Sequence, residues 1–137
     1  MNLIYPCEIT EADDGFLVQF VDLPEAFTEG DTLEEALVNA EDVLTGILEV
    51  KMQLGQEIAL PSKIKRGQHG IAPSVAAQSA LLLRVHRGDK TISELARNLE
   101  TGFAAIKRLE DPLHTPSLRQ LERVARALGR KLVLSFD

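Results

Sequence analysis

Few side chains in this 137-residue chain could do chemistry, and most of them are carboxylates. Asp13, Asp14, Asp22 and Asp31 fall in one short N-terminal stretch. Gathered on one surface, such a set could hold a divalent cation and support hydrolysis of a phosphodiester. Backbone roles compete for three of them. Asp13-Asp14-Gly15 is a turn signal, with Asp14-Gly15 the favoured hairpin pair. Asp31 precedes a helix start, where negative charge meets the positive end of the dipole. His69, His86 and His114 are dispersed and lack metal-ligand spacing. Cys7, the only cysteine, lies in an alternating apolar run and is expected to pack rather than react. Neither Gly-x-Gly-x-x-Gly nor a Walker pattern occurs, so no nucleotide-cradling loop is present. The expectation is a non-catalytic protein with no metal and no cofactor. A metal-dependent nuclease using the acidic cluster is the alternative.

The charges divide along the chain. Residues 1–61 hold 14 acidic residues and one basic residue, Lys51, a net of −13. Residues 62–137 hold 7 acidic and 14 basic residues, a net of +7, and the whole chain carries −6. An acidic half repels nucleic acid and attracts a basic protein; a basic half suits a polyanion. At 45% hydrophobic and 26% charged, the composition is that of a soluble globular protein. A single cysteine excludes an internal disulfide and suits a reducing compartment. No apolar run approaches the roughly 18 residues of a membrane span. The N-terminus MNLIYPCEI lacks the basic start of a signal peptide, so the cytoplasm is expected and no membrane partner.

The elements that position these groups follow from periodicity. Leu3 to Ile9 alternates as a strand, and Pro6 suggests an edge or a bulge. Phe16 to Val21 is a second strand with Phe16, Val18 and Phe20 on one face. Leu23-Pro24 breaks it, Ala26 to Glu29 is a short third strand, and Gly30 turns into a helix. Thr32-Leu33-Glu34-Glu35 matches a capping box, which satisfies two backbone N–H groups reciprocally. Leu33, Leu37, Ala40, Leu44, Ile47 and Leu48 recur at helical spacing, predicting a helix over 33–53 with that face buried. A further short strand is possible over 58–60. Residues 61–70, basic and rich in turn formers, read as a linker, with Ile71-Ala72 able to return briefly to the sheet.

The run Leu23-Pro24-Glu25-Ala26-Phe27-Thr28-Glu29-Gly30-Asp31-Thr32, followed by Glu34-Glu35-Ala36 and Asn39-Ala40, resembles the signature of HicB-type antitoxins. These are the antidote halves of bacterial toxin–antitoxin pairs. The resemblance implies a degenerate ribonuclease-H-like first domain, residues 1–62, that covers a small basic HicA-type toxin. Such a toxin cleaves mRNA through a catalytic histidine on a double-stranded-RNA-binding-like fold. Asp22, Glu25, Phe27, Glu29 and Asp31 are the expected toxin contacts. The whole is then α+β, an antiparallel β-β-β-α module, a linker over 63–72 and a DNA-binding module over 73–137.

In the second half, Pro73 sits at a helix start, and Val75, Ala76, Leu82, Leu83 and Val85 make a largely apolar helix over 74–86. Ile92, Leu95, Ala96 and Leu99 face inward from a helix over 93–99. Glu100-Thr101-Gly102 turns the chain into a second helix, 103–109, with Ile106 and Leu109 inward. Leu95-Ala96, Ile106 and Leu109-Glu110 resemble the helix-turn-helix of the Cro and phage-repressor family. Glu100 stands at the usual turn glycine and Ile92 at a common glutamine. That resemblance places Thr101, Gly102, Phe103, Ala104, Lys107 and Arg108 against DNA. Lys107 and Arg108 would reach base edges, and Gly102 would leave N–H groups free for a phosphate. Phe103 is open between a thymine methyl and the core. Lys90, Arg97 and Arg119 would touch phosphate. Pro116-Ser117 opens a last helix with Leu118, Leu121, Val124, Ala125 and Leu128 on its apolar face, ended by Gly129. About five helices are expected. Lys131 to Phe136 alternates as a strand, and Leu132, Leu134 and Phe136 are candidates for pairing with a second copy. A homodimer or homotetramer on an inverted-repeat operator is then expected, and the antitoxin resemblance implies repression of the protein's own operon.

Overall fold

Alternation in the N-terminal residues produces a meander. The computed structural model describes all residues, 1–137. Strands β1 (Tyr5–Ala12), β2 (Gly15–Phe20) and β3 (Phe27–Gly30) lead into helix α1 (Leu33–Gln53), followed by β4 (His69–Ile71). The sheet is antiparallel throughout, in the order β3-β2-β1-β4. Cys7 pairs with Phe20 and Ile9 with Val18, so one face presents Tyr5, Cys7, Val18 and Phe20. All four are buried, as are Ala36, Ala40, Leu44 and Leu48 of α1, and together they fill the core of a first compact unit, Met1–Ser74. The second unit, Val75–Asp137, holds α2 (Val75–Arg87), α3 (Ile92–Asn98), α4 (Phe103–Leu109) and α5 (Leu118–Ala127). The fold is mixed α+β.

Several expectations are corrected. β1 is an interior strand, because β4 joins its far side; Pro6 lies opposite Gly70, and its carbonyl accepts from Val21 N–H at 3.1 Å. The hairpin's two loop residues are Asp13 and Asp14, and Gly15 already pairs with Ala12. Thr32 makes half of a capping box: its Oγ1 accepts from Glu35 N–H at 3.1 Å. A complete box forms at α5 instead, where Ser117 Oγ accepts from Gln120 N–H and Gln120 Oε1 accepts from Ser117 N–H. The buried line of α1 is Ala36, Ala40, Leu44, Leu48 and Met52, spaced by four, and Leu33 is exposed. Small residues take only its first turns, Ala36 and Ala40, where the helix lies close on β3.

Residues 58–60 form no strand, and Ala59 O instead accepts from the Tyr5 hydroxyl at 2.8 Å. The expected linker, 63–72, carries β4 and belongs to the first unit, so the boundary falls after Ser74 rather than at 62. The second unit has four helices. α2 buries Ala77, Ser79, Ala80, Leu81 and Leu83, and Val75 is exposed. α5 buries Val124, with Leu121, Ala127 and Leu128 partly covered, and Leu118 is exposed. The expected terminal strand over 131–136 is absent from this single chain. A lone strand has no ladder partner here, so its backbone groups stay open to water.

Candidate functional site

The signature stretch of the first unit is built around missing side chains. A Cβ on Gly30 would lie 2.4 Å from Ala36 N, and one on Gly15 would lie 2.6 Å from Gly30 O. β2, β3 and the first turn of α1 therefore approach as closely as backbones allow. Asn39 reaches back from α1 and donates through Nδ2 to Glu29 O at 2.9 Å, which tethers helix to strand. The residues Gly30, Thr32, Ala36, Asn39 and Ala40 thus have an architectural explanation.

The five expected toxin contacts separate into two groups. Asp22 Oδ2 accepts from Ser62 N–H at 2.8 Å and from Ser62 Oγ at 3.0 Å, and so anchors the chain that returns toward β4. Glu25 pairs with Lys51 Nζ at 2.6 Å, and that hydrogen bond lowers the carboxyl pKa. Both line an open cavity of about 300 Å³ with Leu23, Pro24, Lys51, Glu57 and Ala59. Phe27, Glu29 and Asp31 are exposed.

No group of three or more His, Cys, Asp or Glu side chains is arranged to hold a metal ion. Asp13 and Asp14 occupy the hairpin tip and Asp22 is committed to Ser62. Cys7 is fully buried, and burial pushes its thiol up to about 11, so it stays protonated at neutral pH. Burial, with the nearby Asp22 charge, pushes the Tyr5 phenol up to about 12.

In the second unit, Leu83, Leu95, Ala96, Leu99, Ile106, Leu109 and Val124 form one core. They pin α3 and α4 by their inner faces. The turn between these helices uses Glu100 at φ 53, the only non-glycine residue with positive φ. Gly102 is the N-cap of α4 and Thr91 that of α3. Arg123 Nη2 donates to Leu99 O at 2.7 Å, which satisfies a carbonyl at the end of α3. The outward residues are Thr101, Gly102, Phe103, Ala104, Lys107 and Arg108. Phe103 is 51% exposed, which removes the core-packing alternative for it. Lys90, Arg97 and Arg119 are also exposed, outside α4. Leu134 and Phe136 are exposed and Leu132 is half-buried.

One positioning pair has no sequence signal. Arg87 Nε and Nη2 donate to the two oxygens of Glu110 at 2.5 and 2.9 Å, and Nη1 donates to Lys90 O at 2.7 Å. A bidentate, largely covered ion pair joins the end of α2 to the end of α4 and also holds the turn before α3. The Glu110 hydrogen bond raises the Arg87 pKa further. The partners stand 23 residues apart, so no helical spacing could announce them.

A family model described as "HicB_like antitoxin of bacterial toxin-antitoxin system" matches residues 4–79. Antitoxin HicB of Escherichia coli (strain K12) is 35% identical over 133 residues, 95% of this chain and 96% of that protein. Antitoxin HicB 1 of Photorhabdus laumondii is 31% identical over 137 residues, 99% of this chain and 88% of that protein. The chain belongs to the HicB-like antitoxin family. A crystal structure of the Burkholderia pseudomallei antitoxin HicB is also similar, at 12% identity and a TM-score of 0.47, covering 77% of this chain and 90% of that one. For this HicB-like protein the family match runs through β4 and ends within α2. The E. coli relative aligns over both units, so the likeness is not confined to the signature. No helix of the protein is long and apolar enough to cross a membrane.

Proposed function

We propose that this HicB-like antitoxin neutralises a small basic HicA-type, mRNA-cleaving toxin through its first unit, and represses its own operon through the second. The first unit is read as a degenerate ribonuclease-H-like domain without catalysis. In the second, α3 and α4 serve as a helix-turn-helix and α4 enters the major groove. The protein acts in the cytoplasm as a homodimer or homotetramer. The observation that carries this reading is the division of charge between two compact units. Residues 1–74 hold 14 acidic and 4 basic residues, a net of −10; residues 75–137 hold 7 and 11, a net of +4. One unit suits a basic protein and the other a polyanion.

The test uses the full chain. It is titrated by calorimetry against the product of the adjacent reading frame, and against its own promoter DNA at several salt concentrations. Toxin association should slow with ionic strength, and DNA affinity should fall steeply with it. A folded chain that binds neither probe overturns the reading. Non-catalysis is tested with Mg²⁺ and RNA. Reproducible cleavage by the natural protein, lost on replacing Asp22→Asn and Asp31→Asn together, would restore the nuclease reading.

A further inference from the structure

The inner face of the sheet is covered by α1; the outer face is covered at one end only. A Cβ on Gly70 of β4 would meet Ile64 Cδ1 at 2.5 Å and Ile4 Cγ2 at 2.7 Å. Gly70 lies opposite Pro6, which is buried. The returning chain, held by the Asp22–Ser62 bonds, thus lies over the β1–β4 end of the outer face. The β2–β3 end has no such cover. There the register sets Phe27 beside Gln19 and Gln19 beside Glu8, and in the next row Glu29 beside Leu17 and Leu17 beside Thr10. All six are exposed, with Phe27 at 64% and Leu17 at 48%. Phe27 and Leu17 are diagonal neighbours, close enough to form one apolar centre. Two carboxylates, Glu8 and Glu29, flank it.

An apolar centre containing an aromatic, flanked by charge, has the anatomy of a protein interface rather than of a solvated sheet. The charge decides the occupant. A second copy would bring another unit of net −10 against this one, which opposes face-to-face docking. A basic protein is attracted by the same charge. α1 offers a weaker surface: its exposed aliphatics, Leu33, Val38 and Val50, are spread along the helix among Glu34, Glu35, Glu41 and Asp42, with no aromatic.

We propose that the uncovered β2–β3 end of the outer sheet face, centred on Phe27 and Leu17 between Glu8 and Glu29, is the surface on which the basic toxin docks. This rests on the toxin-binding reading above and gives it a place. It does not need Asp22 and Glu25, which already pair with Ser62 and Lys51 within the unit.

The full-length protein with Leu17→Ala and Phe27→Ala together, and separately with Glu29→Arg, is titrated against the product of the adjacent reading frame. The toxin of the E. coli K12 relative is a second probe. Val38→Lys on α1 is the control, and thermal melts confirm that each variant is folded. Both sheet variants should lose at least about tenfold in affinity, and the control should stay within about threefold. Glu29→Arg still tests the surface if the double variant fails to fold. Loss in the control without loss in the sheet variants moves docking to the helix and overturns the proposal, as does equal loss in all. A double variant that shifts sedimentation of the free protein but keeps toxin affinity would make the face a self-interface, and overturns it too. If the natural protein binds neither probe, the toxin-binding reading itself falls; if it binds and the sheet variants bind equally well, only the docking surface falls.

Discussion

Gly30 must be glycine because Ala36 N would stand 2.4 Å from any Cβ there, and backbone on both sides leaves nothing to yield. Gly30→Ala should destabilise the first unit by about 3 kcal/mol, the upper end of ordinary overpacking. Gly46, inside α1, has nothing within 4 Å of its Cβ position. Gly46→Ala should stabilise by about 0.5–1 kcal/mol through helix propensity and a less flexible unfolded chain. Urea unfolding of the two variants tests the contrast, and equal effects would remove the close-approach explanation. Burial also makes stability sensitive to alkali. Cys7 is raised from 9.0 to about 11, so the folded chain retains a proton that the unfolded chain has lost. Its contribution is complete below pH 9 and disappears as pH rises toward about 11. Tyr5, raised from 10.0 to about 12, extends the decline. Denaturant melts should show stability falling from about pH 9 upward, and Cys7→Ala should flatten the first part of that fall.

Among elements, α4 was legible in sequence down to its bounds, Phe103–Leu109, because Ile106 and Leu109 face the core and turn Lys107 and Arg108 outward. Its pose was not legible, since Arg87 and Glu110 come from distant positions and meet only in the folded unit. The two classes of proposed DNA contact then make different predictions. Arg108→Ala on α4 should cost about 1–3 kcal/mol on the operator and much less on unrelated DNA, if it reads a base. Arg119→Ala, in the first turn of α5, should weaken both alike. Anisotropy titrations on specific and random duplexes measure this. Equal losses for Arg108→Ala on both duplexes would remove its readout role.

For the whole molecule, the boundary after Ser74 changes which fragments can fold. A fragment of residues 1–62 lacks β4, so β1 loses the strand opposite Tyr5, Pro6 and Cys7. A fragment of residues 1–74 keeps the complete sheet. Circular dichroism should show a cooperative melt for 1–74 and a lower, broader one for 1–62; matching melts would return β4 to the status of a linker. At the other end, Val133, Leu134 and Phe136 are exposed apolar side chains on a segment without a ladder. Pairing between two copies would satisfy backbone and side chains together. Truncation after Gly129 should leave a monomer with weakened operator binding, and the half-sites should lie about 10 bp or a multiple apart in inverted repeat. Sedimentation of the truncated chain as a dimer would place the subunit contact elsewhere.

Local pattern alone determined much here. The alternation of Phe16, Val18 and Phe20, and the span of α1 from Leu33 to Gln53, follow from periods of two and 3.6 residues. The division of charge pointed to two modules, and the signature from Leu23 to Ala40 resembled that of HicB-type antitoxins. Tertiary structure decided what no period encodes. β4 is three residues long, too short to alternate, and exists because β1 has a free side to offer it. Ala40, Leu44 and Leu48 of α1 were legible as inward positions, but the first turn was not: the absent side chain at Gly30 lets Ala36 close on the sheet and Leu33 stays exposed. Asp22 and Glu25 read as free acids until Ser62 and Lys51 arrived from 40 and 26 residues away. The exposure of Phe27 and Leu17 also had to wait for the fold. A strand residue's side is set by the pleat, but whether that side meets protein or water depends on where the rest of the chain goes.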